Sequence, residues 1–561
     1  MIFQAPIRQE PSDSRQPYFY LQTGTFKYSP CMKKYSWVFI LAGAFLLVAH
    51  PVSPVESIRS SPFVTIRILH TNDIHGHILP EPDLKAGHTP PPLFGGAASL
   101  ATAIKRYRKE PAFGHPPDQV LYFDAGDFFQ GTPEGTLTRG AAMIEIFKRL
   151  KLDAMGAGNH DFDFGIDGFR QLADSASWPI ISLNVLADTG SCGLSRDVFI
   201  TNKDLNLRIA VLGWITDDMA SVTTAQTRRG LNFLGSLETA LREVAVIRDT
   251  ADLVIAITHV GVNQDMIIAN TVPGIHVIVG GHSHTSLSPY YRSDSTGTIV
   301  VQAGSNLGEL GVLDILFNKK TKKIVRANSR LLPLYESEFP PDPAMTRWIK
   351  QLSAKVGRLL NEQVAVSAED YLKASDTECV PGNLLTDAMR WATGADVAFQ
   401  NSFGIRADLP KGPITLRTLF TIMPFDNTTV SMTLRGNEIL DLLEQSATRR
   451  RGFLQMSGAR MTVDLHRLPG ERVLSAEIGN DRIDLQKNYR VATNSFLAEG
   501  GDLFDTFSRG VDRKDDGRNM RETVKDFLRH QTAATNGVFR GRLENRIVIR
   551  GQTRPAPALS H

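Results

Sequence analysis

The sequence predicts a mixed α/β protein with two main domains, and three observations lead to this prediction. Short β-branched runs alternate with segments of helical periodicity over residues 63–330, as in layered α/β domains. Polar clusters follow five of these runs at their carboxyl ends. The chain of 561 residues is too long for one hydrophobic core, and a proline-rich, acidic stretch at 331–343 precedes a second mixed α/β region.

The N-terminus predicts export. Met32 precedes two lysines and an apolar run at 37–49, which is the order of charges and apolar residues in a secretory signal. We therefore interpret residues 1–31 as an upstream extension and residues 32–57 as the signal peptide. The apolar run is shorter than the roughly 20 residues of a membrane span. The mature protein is expected in the periplasm or outside the cell, or anchored to the membrane if the signal is uncleaved.

Charge and cysteine content exclude several classes of protein. The 62 basic and 59 acidic side chains nearly balance, which gives no indication of binding to nucleic acid or to an anionic membrane. Only Cys192 and Cys379 follow the predicted signal, so the mature chain is not a disulfide-rich scaffold. One internal bridge and two buried free thiols are equally compatible with this count.

The N-terminal domain contains predicted strands at 63–68, 120–123, 179–185, 207–214, 253–258 and 275–279, and a further short apolar run, also interpreted as a strand, precedes Gly158. Helical periodicity predicts helices at 97–108 and 141–150. Ligands of α/β proteins gather at the carboxyl ends of such strands. The polar clusters are therefore expected to meet in one site.

These clusters contain side chains that bind metal ions. Two carboxylates, one amide and four imidazoles are the candidate ligands: Asp73, His75, Asp127, Asn159, His259, His282 and His284. Oxygen and nitrogen donors without thiolates suit Zn, Mn, Fe or Co. Each motif alone is also compatible with an ordinary turn or a core histidine. Seven ligands exceed the needs of one tetrahedral ion and predict two divalent ions that share a carboxylate.

The order of these motifs resembles the calcineurin-like metallophosphoesterases, in particular the 5′-nucleotidase/UDP-sugar hydrolase branch. The matching motifs are Asp73-x-His75, Gly126-Asp127, Gly158-Asn159-His160-Asp161, Thr258-His259-x-Gly261 and Gly281-His282-Ser283-His284. The resemblance implies a four-layer β-sandwich flanked by helices. It assigns Asp73, His75 and His284 to one metal, Asn159, His259 and His282 to the other, and Asp127 to both.

The same resemblance implies hydrolysis by attack of a metal-bound hydroxide on phosphorus. His160 would stabilise the developing charge or protonate the leaving oxygen, and Asp163 would orient its imidazole. Asp161 is left with a structural role in the turn.

Four segments of the C-terminal region resemble the nucleotidase substrate domain: 382–388, 401–406, 424–425 and 496–502. Phe425 and Phe496 are expected to stack on a base. Asp502 would accept hydrogen bonds from the ribose, Arg406 would pair with phosphate, and Asn401 would hold the substrate near the metals. Core packing is the alternative interpretation of the two phenylalanines.

Three departures from the family pattern bear on the substrate. Phe403 and Asp426 each stand where the family has glycine, and Asp426 is expected to add negative charge beside the base. Residues 373–381 contain no arginine, and Lys373 is their only cation. Phosphate would then be held less rigidly than by a cluster of arginines.

The resulting prediction is an exported dimetal phosphoesterase of nucleotides. Its domains are expected at 63–335 and 366–550, with a linker helix within 336–365. UDP-sugars and 2′,3′-cyclic nucleotides are further candidate substrates. The alternatives are a thiosulfohydrolase-like enzyme of sulfur oxidation, which shares the metal frame, and a secreted nucleotide-binding or surface protein without catalysis. Neither the oligomeric state nor the metal identity follows from the sequence.

Overall fold

The computed structural model describes residues 61–196, 198–357 and 360–550, with residue 516 described by its backbone alone. The predicted extension and signal, residues 1–57, lie outside the described residues. Within the described ranges, no helix combines the length and the apolar character needed to cross a bilayer. Cys192 and Cys379 are both buried free thiols.

Two six-stranded sheets organise the N-terminal half, defined here as residues 61–357. The first sheet contains, in spatial order, Lys323–Pro333, Glu309–Asn318, Phe63–Thr71, Gln119–Asp124, Ala154–Gly156 and Ile180–Ile181. The second contains Tyr291–Arg292, Ile299–Val301, Val277–Val279, Leu253–His259, Leu207–Ile215 and Val198–Asn202. Two short ribbons pair Leu231–Phe233 with Val185–Ala187 and Glu81–Pro82 with Leu93–Phe94.

Both faces of the central strands are covered, which explains their apolar sequences. In strand Phe63–Thr71, Ile66 and Ile68 pack into the core between the two sheets. Leu69 points the other way, into the core under the helices. This alternation follows from the two-residue period of a strand.

Helices cover the outer faces of the two sheets. The first sheet is covered by Ala97–Tyr107, Ala141–Leu150 and Gly165–Ser175, and the second by Ser236–Ile247 and Val262–Thr271. The layer order is helix, sheet, sheet, helix. The predicted four-layer sandwich is therefore confirmed.

The predicted strand at 179–185 is wrong in its extent. The structure has two short strands, Ile180–Ile181 and Val185–Ala187. Between them, the side chain of Asn184 takes the place of a backbone ladder: its Oδ1 accepts from Ile215 N at 2.9 Å and its Nδ2 donates to Ile215 O at 2.9 Å. A polar side chain that pairs with backbone ends the regular pairing of strands.

The C-terminal half, residues 360–550, is mixed α/β as predicted. Its largest sheet has the order Leu454–Ser457, Val397–Asn401, Asn488–Asn494, Thr428–Arg435 and Val511–Asn519. A three-stranded sheet contains Gly412–Thr415, Gln363–Ser367 and Val538–Phe539, and a four-stranded sheet contains Asp481–Arg482, Val473–Ile478, Ala459–Val463 and Ile547–Ile549. Its longer helices are Val380–Thr393, Leu416–Ile422, Gly436–Ala447 and Met520–Thr532.

A helix at Pro343–Val356 precedes this half. Asp342 caps it by accepting from Met345 N at 2.9 Å, and Pro343 occupies the first turn, where a missing N–H costs nothing. The helical periodicity at 344–361 predicts a longer helix. The structure ends it at Val356, directly before Gly357.

Candidate metal centre and substrate site

The carboxyl ends of neighbouring strands bring the polar clusters together. Thr71 and Asp124 are partners at the ends of two parallel strands. Beyond them the two loops stay paired, because Asp73 N donates to Gly126 O and His75 N donates to Asp127 O, each at 2.9 Å. The loop that carries Asp73 and His75 therefore runs beside the loop that carries Asp127.

The first group of ligand atoms belongs to Asp73, His75 and His284. His284 Nε2 lies 3.2 Å from Asp73 Oδ1 and 3.1 Å from His75 Nε2. The grouping agrees with the first of the two metal sites that the family resemblance implies.

The second group contains Asp73, Asp127 and His259. His259 Nε2 lies 3.2 Å from Asp127 Oδ2 and 3.8 Å from Asp73 Oδ1. Asp73 thus reaches both groups, whereas the family resemblance gives the shared position to Asp127 alone.

Asn159 and His282 complete the cluster. His282 Nδ1 lies 3.0 Å from Asn159 Oδ1, and the His282 ring is 5.2 Å from the ring of His259. His282 N also donates to Asp73 Oδ2 at 2.9 Å. All seven predicted ligands are therefore brought together by the fold.

The donor set fits divalent cations. His259 Nε2 is buried, faces two carboxylates and has no hydrogen-bond partner among the described residues. Burial lowers the pKa of His259, but Asp127 and Asp73 outweigh it and raise that pKa to about 10. The site therefore favours positive charge at this nitrogen, and a dication can replace the proton there.

The other three histidines are held in the neutral form that binds metal. Burial lowers the pKa of His282 to about 3. Burial also lowers the pKa values of His75 and His284. A neutral imidazole offers a free lone pair, so these residues can coordinate without first losing a proton.

Backbone carbonyls fix the rings of two ligands. His75 Nδ1 donates to Gln130 O at 2.8 Å, and His259 Nδ1 donates to Ala125 O at 2.7 Å, since a carbonyl can only accept. Each bond directs Nε2 into the cluster, as second partners of metal-binding histidines generally do.

The segment at 158–163 is a short 3-10 helix, Asn159–Phe162, rather than a simple turn. Asp161, expected to be structural, accepts hydrogen bonds from Gly158 N, Asp127 N and Phe128 N at 2.7, 3.2 and 3.0 Å. It therefore ties this segment to the loop of Asp127. A Cβ on Gly158 would lie 2.3 Å from Asp127 Oδ1, so only glycine permits this approach.

His160 lies at the edge of the cluster. Its Nδ1 is 3.0 Å from Asp163 Oδ2, and its ring is 5.2 Å from the ring of Phe425. Burial lowers the pKa of His160, but the carboxylates of Asp163 and Asp127 outweigh it and the pKa is raised above its ordinary value. The imidazole therefore holds a proton more readily than a free histidine does.

Two of the predicted substrate residues of the C-terminal half, Arg406 and Phe425, lie beside this cluster. Arg406 Nη2 lies 2.6 Å from His75 Nε2, and its guanidinium is 5.8 Å from the ring of Phe425. Asn401 Nδ2 donates to Asp502 Oδ2 at 2.7 Å. Arg406 and Phe425 are therefore near enough to contact a molecule bound at the candidate metal ligands.

Phe496 is half-buried in the short helix Ser495–Ala498. Its ring lies so close to Gly501 that a Cβ there would be 2.5 Å from ring carbons. Phe403, by contrast, is 42% exposed within the segment that links Asn401 to Arg406. The Phe403 side chain, which stands where the family pattern has glycine, is therefore partly open to solvent.

Three contacts between the two halves carry no sequence motif. Arg417 Nη1 donates to Glu134 Oε2 at 2.6 Å, and Glu134 is almost fully buried. Gln130 Nε2 donates to Pro424 O at 3.3 Å. Arg451 pairs with Asp218. Together these contacts hold the C-terminal half over the cluster.

A family model described as calcineurin-like phosphoesterase matches residues 66–286, and one described as 5′-nucleotidase, C-terminal domain matches residues 356–509. The fold and the ligand cluster thus define a metallophosphoesterase that uses divalent metal. A 5′-nucleotidase precursor from Thermus thermophilus is 30% identical, with a TM-score of 0.78 and coverage of 87% of this chain and 100% of that chain. The chain belongs to the 5′-nucleotidase family and is a metal-dependent phosphoric-ester hydrolase.

Two further relatives show the range of this fold. The trifunctional nucleotide phosphoesterase protein YfkN of Bacillus subtilis is 29% identical over 534 residues, 85% of this chain, and this chain spans 35% of its length. The sulfate thiohydrolase SoxB from Thermus thermophilus has a TM-score of 0.74 at 20% identity, with coverage of 88% of this chain and 98% of that chain. At this identity the likeness to SoxB shows the fold alone.

Proposed function

We propose that the protein hydrolyses nucleotides with two divalent ions, as a 5′-nucleotidase. The observation that carries this proposal is the position of Arg406, 2.6 Å from the ligand atom of His75. A guanidinium beside a metal centre is suited to the phosphate of an ester. The residues around it supply partners for the rest of a nucleotide.

In this proposal the seven ligands hold two divalent ions of the Zn, Mn, Fe or Co type. When bound, such ions activate water and neutralise the oxygens of the phosphoryl group. Asp73 and Asp127 contribute the negative charge that retains the cations. Arg406 orients the phosphate, and His160 donates a proton to the leaving oxygen while Asp163 holds its ring.

The nucleoside would be held by the C-terminal half. Phe425 and Phe496 offer aromatic faces for stacking on a base, which tolerates different bases. Asp502, fixed by Asn401, accepts hydrogen bonds from ribose hydroxyls. The names of the relatives support this substrate class, since one is a 5′-nucleotidase precursor and another a nucleotide phosphoesterase.

Export and domain boundaries belong to the same proposal. We place the domains at 63–335 and 366–550, with the linker helix within 336–365. The sheets of the described residues support this division, because each lies wholly before or wholly after the helix Pro343–Val356. The signal at 32–57 would direct the protein out of the cytoplasm.

A phosphate-release panel tests the proposal. Nucleoside mono-, di- and triphosphates, UDP-glucose and 2′,3′-cyclic nucleotides are incubated with mature protein, with and without a chelator. We expect chelator-sensitive release, fastest from a 5′-nucleotide. The thiosulfohydrolase alternative predicts no phosphate release from these nucleotides but hydrolysis of a sulfur-linked conjugate. A non-catalytic protein predicts hydrolysis of neither kind of compound.

A further inference from the structure

The loop at residues 423–427 carries Phe425 but has no regular secondary structure. It joins the helix Leu416–Ile422 to the strand Thr428–Arg435. A ring that is mobile before binding loses conformational entropy when it stacks on a base, which weakens binding. Strong stacking therefore requires the ring to be held in place beforehand. The position of Phe425 therefore depends on bonds made to its loop from elsewhere.

Arg521 makes three of these bonds, and Gln130 adds one to Pro424 O. Its Nη1 donates to the carbonyl oxygens of Met423 and Phe425, each at 2.8 Å. Its Nη2 pairs with the carboxylate of Asp426. The guanidinium also lies 4.3 Å from the centre of the Phe420 ring, so an aromatic face supports its plane.

This arrangement also changes the expected role of Asp426. The sequence predicts added negative charge beside the base, but the Asp426 side chain is 68% exposed and pairs with Arg521. The Asp426 carboxylate thus accepts one of the hydrogen bonds that the Arg521 guanidinium donates to this loop. Its charge is compensated on the outer side of the loop.

The first residues of the helix Met520–Thr532 hold the other end of the loop. Met520 N donates to Asn427 O at 2.9 Å. Asn519 caps the helix by accepting from Arg521 N at 2.9 Å, which fixes the residue that bears the guanidinium. The loop is therefore attached to the helix N-terminus at both ends.

We propose that Arg521 is a positioning residue that sets Phe425 for contact with the nucleotide base. Arg521 acts through Phe425 and does not contact the phosphate or the metal ligands. The inference rests on the proposed nucleotidase function. It predicts that the loss of Arg521 weakens recognition of the base and leaves the chemical step unchanged.

The test is a double-mutant cycle on adenosine 5′-monophosphate. We expect Arg521→Gln to raise KM about tenfold, within the range that the loss of one stacking contact produces, with kcat changed less than twofold. The same variant should hydrolyse ribose 5-phosphate, which lacks a base, as the wild type does. In a Phe425→Ala background, Arg521→Gln should raise KM for the nucleotide by less than a further twofold, because its effect requires the Phe425 ring.

Arg529→Gln is the matched control. Arg529 lies on the same helix and pairs with Glu362, and both side chains are 47% exposed. This variant should leave KM unchanged for both substrates. If Arg521→Gln does not fold, Arg521→Lys replaces it, since the lysine keeps the charge but cannot bond two carbonyls and a carboxylate in one plane.

Three results for Arg521→Gln would each overturn the inference. They are an unchanged KM for the nucleotide, an equal increase in KM for ribose 5-phosphate, and an increase in KM that is fully additive with that of Phe425→Ala. These outcomes require an active wild type. A wild-type enzyme that releases no phosphate from any nucleotide would refute the proposed function instead, so the two failures are distinguishable.

Discussion

Replacing His160 with alanine separates the proposed chemistry from metal binding. The ring bonds to Asp163, whereas it is the backbone N–H of His160 that donates to Asp127 Oδ1 at 2.8 Å. His160→Ala removes the imidazole and keeps the bond that holds the metal ligand. We expect kcat to fall by about 10²–10⁴-fold, the contribution of a positioned acid or base, equivalent to about 3–5 kcal/mol at 1.36 kcal/mol per tenfold.

The assay compares two leaving groups and measures metal content. The ribose oxygen of a nucleoside 5′-monophosphate needs a proton as it leaves, whereas p-nitrophenolate does not. If His160 is the acid, the variant should lose much less activity on p-nitrophenyl phosphate than on the nucleotide. Equal losses would indicate stabilisation of charge on the phosphoryl group instead. Mass spectrometry of bound metal should give the wild-type stoichiometry.

Asp163→Asn is the graded control for this experiment. It keeps the imidazole but removes the charge that supports its protonated form, so its loss in kcat should lie between zero and that of His160→Ala. Two results would refute the reasoning. Unchanged kcat in His160→Ala would remove the residue from the chemistry, and loss of metal would reassign it to the support of a ligand.

Three other predictions concern metal binding and stability. Asp127→Ala should leave at least one ion unbound in mass spectrometry, because its carboxylate belongs to the cluster of ligand atoms; two retained ions would contradict this role. Glu134→Gln should lower the free energy of unfolding in urea by about 1–2 kcal/mol through loss of the ion pair with Arg417. The loss is smaller than for a fully buried pair because Arg417 is 24% exposed. An unchanged free energy of unfolding would show that this pair does not stabilise the contact between the halves. Asp342→Ala should cost about 1 kcal/mol at pH 7 through loss of the helix cap. Although burial opposes it, the bond from Lys105 lowers the pKa of Asp342, so this stability is present at neutral pH and the difference from wild type should shrink as pH falls through that pKa.

The candidate metal ligands can be predicted from sequence because each lies at or just beyond the carboxyl end of a mainly apolar run that forms a strand. Parallel strands place their carboxyl ends at one edge of a sheet, so Asp73 and Asp127 meet there without knowledge of any contact. His259 joins them from the end of a strand in the second sheet. The same reasoning does not find Asp161 as the link between two loops. Asp161 bonds to backbone N–H groups, which nearly every residue type has. The sequence therefore does not indicate which residues are its partners.

Residues that act over a long separation in the chain are also hidden from sequence. Arg521 lies 96 residues from Phe425, and Arg417 lies 283 residues from Glu134. Each is a single arginine among 62 basic residues, without periodicity or a motif. Only the folded arrangement shows that one holds a loop and the other joins the halves. The strand at 179–185 fails for a related reason, since Asn184 pairs with backbone that is distant in sequence.

The backbone conformation at the ligands connects the fold to its chemistry. Five of them adopt φ between 50° and 75°, the left-handed region that non-glycine residues rarely occupy: Asp73, His75, Asp127, His282 and His284. Such residues persist only where the surroundings hold them. Here the paired loops and Asp161 do so, using bonds within the N-terminal half. Asp502 has φ of 54° in the other half, where Asn401 holds its carboxylate. The bonds that hold these backbone conformations thus lie within the N-terminal half for the candidate metal ligands and within the C-terminal half for Asp502. We therefore expect substitutions at Arg521 or Phe425 to alter substrate recognition while the candidate metal ligands keep their geometry.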